Sequence, residues 1–256
     1  MIFDSHIISG ASPIMSNQGT EAADLALLKG GLVINMGTST SENLRNQCQA
    51  ITQYNRVGAP IVLDPVGAAA TSHRREALRT LLNAGYFALI KGNEAEIVAV
   101  AEAVGLEPSS GTQQHGVDSH SSLTSEQKVR LVQQIAAREQ NVVLMTGKSD
   151  FISDGKFVLE IKNGHEYLGM VTGSGCALGT TLAAYIAAYP DDRLLAAVAG
   201  ILHYEIAAEQ AVENTYVQGP GTFIPAFIDA LYRCGKDYEY AKWLEGAAIY
   251  VYDDSV

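Results

Sequence analysis

The chain has 256 residues, 47% hydrophobic and 18% charged, ordinary globular composition and enough length to bury one sizeable core. A net charge of −11 argues against a nucleic-acid partner, whose phosphates demand a basic face, and leaves an anionic substrate dependent on backbone dipoles or a metal ion. Three scattered cysteines (Cys48, Cys176 and Cys234) without a CxxC pair argue against a disulfide scaffold or a structural zinc site and fit a reducing compartment.

The opening "MIFDSHIISG" has no basic n-region and too short an apolar run for a signal peptide, so the chain reads as soluble and cytoplasmic. "GASPIM" (10–15) sets Met15 either in the core or against a flat apolar ligand. A helix is expected over 18–29, then a strand at 32–37 ("LVINMG"), a helix over 42–56 and a strand at 60–67 ("PIVLDPVG"). Helix 72–83 leads to strand 86–93 ("YFALIKGN") and helix 94–104. The polar, Ser-rich stretch 107–126 reads as a mobile surface loop. Helix 124–139 precedes strand 141–147 ("NVVLMTG"). These four strands lack inside/outside alternation, as expected when helices cover both faces of a parallel sheet, and the alternation of elements predicts a doubly wound α/β domain.

"DFISDGKFVLEIKNGHEYLGMV" (150–171) differs. Asp154-Gly155 and Asn163-Gly164 are turn signals between short apolar runs, which predicts an antiparallel edge meander. Tyr167 to Pro190 carries no charge and is long enough to span a bilayer, but its four glycines and its Ser/Thr residues favour a buried helix over 175–188 and no membrane partner. Helices over 192–213 and 222–233 complete the chain, the last opened by "GPGTF" (219–223) with Pro220 near its first position.

In open parallel sheets, ligands bind at the C-terminal strand ends. Here those ends carry Asp64, then Lys91-Gly92-Asn93 with Glu94 and Glu96 beyond, then Thr146-Gly147-Lys148. Such a rim suits phosphate and Mg²⁺, which wants one or two carboxylates plus phosphate oxygens; alternatively, Asp64 and Glu96 simply cap helices. "TGSGC" marks a helix N-terminus, where free N–H groups and the dipole form an anion site and Gly173 and Gly175 let it approach. The spacing excludes a Walker loop, and 173–179 is one residue too long for the dinucleotide fingerprint. Cys176 falls in the first helical turn, as an activated thiol or as an inert small hydrophobe. His115 and His120 lie in the polar loop, His165 in a turn, and His203 in a long helix, packed.

The blocks "GASPIMS" (10–16), "INMGT" (34–38), "PIVLDPVGAAAT" (60–71), "IKGNEAEI" (90–97), "TGKSDFISDG" (146–155), "VTGSGCALG" (171–179) and "GPGTF" (219–223) together resemble the hydroxyethylthiazole kinase family of the ribokinase-like superfamily. "KGN" and "DFISDG" lean toward fungal-type members, where the kinase often forms half of a bifunctional thiamin-phosphate synthase. The resemblance implies a three-layer ribokinase-like fold. It implies phosphorylation of 4-methyl-5-(2-hydroxyethyl)thiazole by MgATP, in a homotrimer. By resemblance Met15 and Gly173 bind the thiazole, while Lys91, Asn93, Thr146 and Gly147 hold ATP. Asp64 and Glu96 support Mg²⁺, directly or through water. Gly173, Gly175 and Cys176 form the catalytic turn, Cys176 standing where most of the superfamily has an aspartate. The segment before "GASPIM" is shorter than members normally carry, and residues after about 232 read as a tail outside the family pattern, on a single domain. Alternative readings are another ribokinase-like kinase or a nucleotide-hydrate dehydratase, a truncated nucleotide-binding pseudokinase, and, more remotely, a dinucleotide oxidoreductase.

Overall fold

Seven strands lie side by side in the order in which the chain makes them. The computed structural model describes residues 11–37, 39–107, 123–236 and 245–252. Most of the polar loop, with His115 and His120, lies outside these residues, as does the opening "MIFDSHIISG". Strands β1 (Leu32–Asn35), β2 (Ile61–Asp64), β3 (Leu89–Asn93) and β4 (Val142–Thr146) are parallel. β5 (Asp150–Ser153), β6 (Val158–Ile161) and β7 (Ile249–Tyr252) continue the sheet antiparallel.

The short α1 (Ala22–Ala26) precedes β1, and the crossovers carry α2 (Ser41–Val57), α3 (Ser72–Ala84), α4 (Glu94–Ala103) and α5 (Ser125–Glu139). Their starts are written in the sequence. Thr40 and Thr71 accept backbone N–H groups at the N-termini of α2 and α3, and Asn93/Glu96 and Thr124/Gln127 form capping boxes on α4 and α5. After β6 come α6 (Tyr167–Met170), α7 (Ser174–Ala188), α8 (Arg193–Val212) and α9 (Pro220–Lys236).

Two cores flank the sheet. Ile61, Leu63, Ile90, Val143, Met145 and Phe151 pack toward the crossover helices, while Val62, Leu89, Val142, Leu144 and Ile152 pack toward α7, α8 and α9. The alternation within each strand is the two-residue pleat, and both faces are apolar because both are covered. The three-layer arrangement expected from the sequence is present, and one block of C-terminal helices supplies the whole second layer.

Three expectations change. The helix foreseen over 18–29 is a 3₁₀ turn (Gly19–Glu21) and the short α1, stopped where Lys29 turns left-handed at φ 58° before two glycines. The meander foreseen over 150–171 ends at Ile161, and Tyr167–Met170 is helical. The Asn163-Gly164 turn does not close a hairpin: Gly164 N–H donates to Glu209, and the Asn163 side chain bridges the chain entering β7, bonding to Gly246 and Ala248. The third antiparallel strand is therefore β7, drawn from the C-terminal region. The uncharged 167–190 stretch is broken between α6 and α7, and among the described residues no helix is long and apolar enough to cross a membrane.

Candidate active site

The pleat builds the site. Val33, Val62, Leu89 and Leu144 face the C-terminal helices, so the residues two steps on, Asn35, Asp64, Lys91 and Thr146, face the same way at the C-terminal strand ends. Parallel register aligns them, with Asn35 opposite Asp64 and Asn93 opposite Thr146. The outcome is a row of polar side chains at the edge of an apolar face. Lys91 Nζ lies 3.2 Å from Asp64 Oδ1, the lysine 5% and the aspartate 1% exposed. Asn35 Nδ2 donates to Asp64 Oδ2 (2.9 Å) and to Cys176 Sγ (3.2 Å).

Burial pushes the Asp64 carboxyl above the ordinary carboxylate range. The Lys91 charge and hydrogen bond oppose that push, the nearby Glu96 charge adds to it, and the Asn35 amide holds the anion. Lys91 also donates to the Gly175 carbonyl at 2.8 Å, which ties β3 to the start of α7.

α7 opens directly over this row. Gly173 is its N-cap at φ 93°, a left-handed conformation that a side chain would strain, and no side chain caps the helix. The N–H groups of Gly175 and Cys176 have no hydrogen-bond partner among the described residues, as expected for a first turn; Ser174 N–H reaches the Val171 carbonyl and Ala177 N–H that of Gly173. Tyr204, deep in α8, donates its hydroxyl to the Ser174 carbonyl (2.8 Å) and so braces the turn from behind. With the dipole of a 15-residue helix behind them, these donors make an anion site beside a half-buried thiol.

The rim is stiff. Glu96 Oε1 accepts Gly67 N–H and Oε2 accepts Asn93 N–H, both at 2.8 Å, so Glu96 clamps the loop after β2 to the start of α4. A side chain at Gly92 would put its Cβ 2.8 Å from the Glu96 Cβ, and only glycine lets the strand and helix approach so closely. Arg74 Nη1 donates to the Met36 and Val66 carbonyls and Nη2 to that of Gly37, joining the loops after β1 and β2.

The existing bonds of the two carboxylates limit how they could hold Mg²⁺. Each oxygen of Asp64 and of Glu96 already accepts a donor, and no cluster of three or more His, Cys, Asp or Glu with metal-holding geometry occurs among the described residues. The two negative charges act on one another. That fits a cation which keeps most of its water and leans on phosphate oxygens, as Mg²⁺ does, rather than a chelated ion.

Of the residues singled out from sequence, Asp64, Lys91, Gly175 and Cys176 are joined through direct contacts, with Gly173 one residue before the turn. Asn93, Thr146 and Gly147 line the neighbouring strand ends, with Gly147 N–H bonded to Asp150 Oδ1 (2.8 Å). Glu96 is the helix cap that its spacing allowed. Met15 is 71% exposed and belongs to neither core, which removes the core reading for it. His203 is packed, as expected: its Nε2 meets the Leu231 carbonyl and its Nδ1 the Tyr185 hydroxyl, and burial holds its pKa down. Pro220 opens α9, while Phe223 stacks on Phe227 inside the core. Sequence reading missed Asn35, which the strand-end rule could have found. It also missed Arg74, Tyr204 and Asp150.

Comparison with known proteins identifies the family and the fold. The model of the hydroxyethylthiazole kinase family matches residues 4–237. A probable thiamine biosynthetic bifunctional enzyme of Schizosaccharomyces pombe is 41% identical over 87% of the chain, which spans 42% of that relative's length. A hydroxyethylthiazole kinase of Shouchella clausii is 36% identical, covering 87% of the chain and 82% of the relative. The solved structure of a hydroxyethylthiazole kinase from Pyrococcus horikoshii OT3 superimposes with a TM-score of 0.84 at 30% identity, over 98% of this chain and 89% of that one.

Proposed function

The chain belongs to the hydroxyethylthiazole kinase family, and on that premise we propose that it transfers the γ-phosphoryl group of ATP to the hydroxyl of 4-methyl-5-(2-hydroxyethyl)thiazole in thiamine biosynthesis. The observation that carries the reading is the row Asn35–Asp64–Lys91 beneath the uncapped N-terminus of α7, with Cys176 in its first turn.

The chemistry follows from that row. The hydroxyl oxygen bonds to the γ-phosphorus as the bond to the bridging oxygen breaks, and ADP leaves. Charge develops on the transferring oxygens, and the N–H groups of Gly175 and Cys176 meet it without reorganising. Lys91, held by Asp64 and the Gly175 carbonyl, contributes a cation from the sheet side. Lys91, Asn93, Thr146 and Gly147 hold the nucleotide phosphates at the ends of β3 and β4. Mg²⁺ would supply charge neutralisation there, and Asp64 and Glu96 would hold it. The transition state is loose and the hydroxyl proton is lost late, so a weak acceptor suffices. The Cys176 sulfur, positioned by Asn35, accepts the hydroxyl's hydrogen bond and orients it, and the proton passes to an oxygen of the transferred phosphoryl group. Gly173 and Met15 serve the thiazole, and a homotrimer in the cytoplasm would shelter Met15 and Ile14, which are 71% and 60% exposed in the single chain.

The test is ADP release in a coupled assay with and without hydroxyethylthiazole. Thiazole-dependent release with Mg²⁺ present supports the reading; release indifferent to thiazole overturns it. Light scattering decides the trimer.

A further inference from the structure

We propose that Glu205 carries a proton which it shares with Asp150, and that this buried acid pair positions the turn after β4 for the nucleotide. The proposal rests on the assignment of Thr146 and Gly147 to ATP made above.

Asp150 opens β5 two residues before Ile152, so the pleat turns its side chain toward the C-terminal helices, into the row already occupied by Lys91 and Thr146. It meets Glu205 of α8 there. The residues are 3% and 7% exposed, and each carboxyl acts on the other. Two ionised carboxylates buried together repel and can only accept hydrogen bonds, so one proton between them is what holds the pair. Glu205 Oε2 is buried with no donor among the described residues, an arrangement tolerable for a neutral acid and costly for an anion.

The neighbours decide which partner keeps the proton. Burial lifts the Asp150 pKa above its ordinary value, and Glu205, the Gly147 N–H that Oδ1 accepts at 2.8 Å and the Lys91 charge all oppose that lift and favour the anion there. Glu205 faces the charges of Asp150 and Glu209, the latter held by Asn163 and Gly164, and burial together with those charges lifts its pKa well above the usual range. Glu205 is the donor, Asp150 the acceptor. The Asp150 carboxylate is the brace on Gly147, and the Glu205 proton fixes how that carboxylate is turned. Neither residue reaches the reacting atoms, so both are positioning residues.

The experiment compares Glu205→Gln and Glu205→Leu with the parent chain by amide hydrogen exchange of residues 146–149 and by steady-state kinetics. The glutamine amide still donates to Asp150, and that variant should match the parent within about twofold in both readouts. Leucine removes the donor: exchange at Gly147 should quicken and KM for ATP rise, each by about tenfold, while kcat and KM for thiazole stay within about threefold. Unchanged exchange at Gly147 in the leucine variant, or a glutamine variant as impaired as leucine, overturns the proposal. If leucine prevents folding, Glu205→Met, an adaptable apolar replacement, decides by the same readouts. A parent chain without thiazole-dependent turnover defeats the ATP assignment instead, and the exchange measurement still decides the acid pair.

Discussion

Replacing Lys91 with methionine removes one charge from a buried pair and leaves its volume nearly filled. The ammonium lies 3.2 Å from Asp64 Oδ1 and 2.8 Å from the Gly175 carbonyl. At that separation two unit charges attract by about 5 kcal/mol at an effective dielectric near 20, and breaking a buried pair from one side costs about 3–5 kcal/mol. Two features reduce the loss: Asn35 still donates to Asp64, and Asp64 can take up a proton. Burial already lifts the Asp64 pKa and Lys91 is the leading opposing influence, so removing Lys91 lifts it further. A carboxyl whose folded pKa is raised keeps its contribution on the acid side and loses it as pH climbs from the ordinary carboxylate range through the folded value. The deficit should therefore be about 1 kcal/mol near pH 5 and about 3 kcal/mol near pH 8, read from urea denaturation followed by circular dichroism. At the same time kcat/KM should fall by roughly 10²–10³. Adding Asp64→Asn should recover most of the stability and none of the turnover. A deficit independent of pH, or a double variant no more stable than the single one, refutes the reasoning.

Other outcomes follow from the same geometry. Cys176→Asp should retain or raise turnover, and Cys176→Ala should lower kcat by about tenfold at most, below the range for a strong general base; a fully inactive alanine variant, scored in the coupled assay, removes the weak-acceptor role. Gly173→Val sets a β-branched side chain at φ 93° beside the anion site, and should abolish measurable turnover while costing about 2 kcal/mol in a thermal melt; near-normal kcat would mean that this turn does not touch the phosphate. Asn35→Leu should raise the pH dependence of stability, because Asp64 loses its neutral donor, and lower kcat through the freed Cys176; a flat pH–stability difference against the parent chain counts against both contacts. Arg74→Ala frees three loop carbonyls and should cost about 2 kcal/mol with a raised KM for thiazole, whereas a loss confined to stability would make Arg74 purely architectural.

The strand-end row was legible because the parallel strands are short apolar runs closed by polar residues, and the pleat does the rest. Cys176 could be assigned to a first helical turn for the same local reason: glycines before it and an alanine-rich stretch after it. What escaped was set at long range. "AIYVY" alternates like a strand, but its partner β6 lies nearly ninety residues earlier, and no local signal pairs them. Asn163-Gly164 looks like a hairpin turn in any window, yet the Gly164 N–H goes to Glu209 of α8 and the Asn163 side chain bonds Glu209 and, in the chain entering β7, Gly246 and Ala248. The Asp150–Glu205 contact joins two carboxylates from distant elements, a meeting that charge alone would discourage and that a proton allows. Glu96 offered two readings from its spacing, and the three-dimensional arrangement supports the cap directly because both oxygens accept backbone N–H groups.

Strand order also gives this molecule a timetable. On the ribosome six of the seven strands emerge before α7, and the crossover helices can settle on their side as each is made. Val62, Leu89, Val142, Leu144 and Ile152 then wait on a bare apolar face until α7, α8 and α9 are synthesised to cover it. The nascent chain is most adhesive after β6 has emerged and before α7 follows it. Because Lys91 meets Gly175, and Asn35 meets Cys176, only across that last closure, completion of the candidate site and burial of the face arrive in the same event.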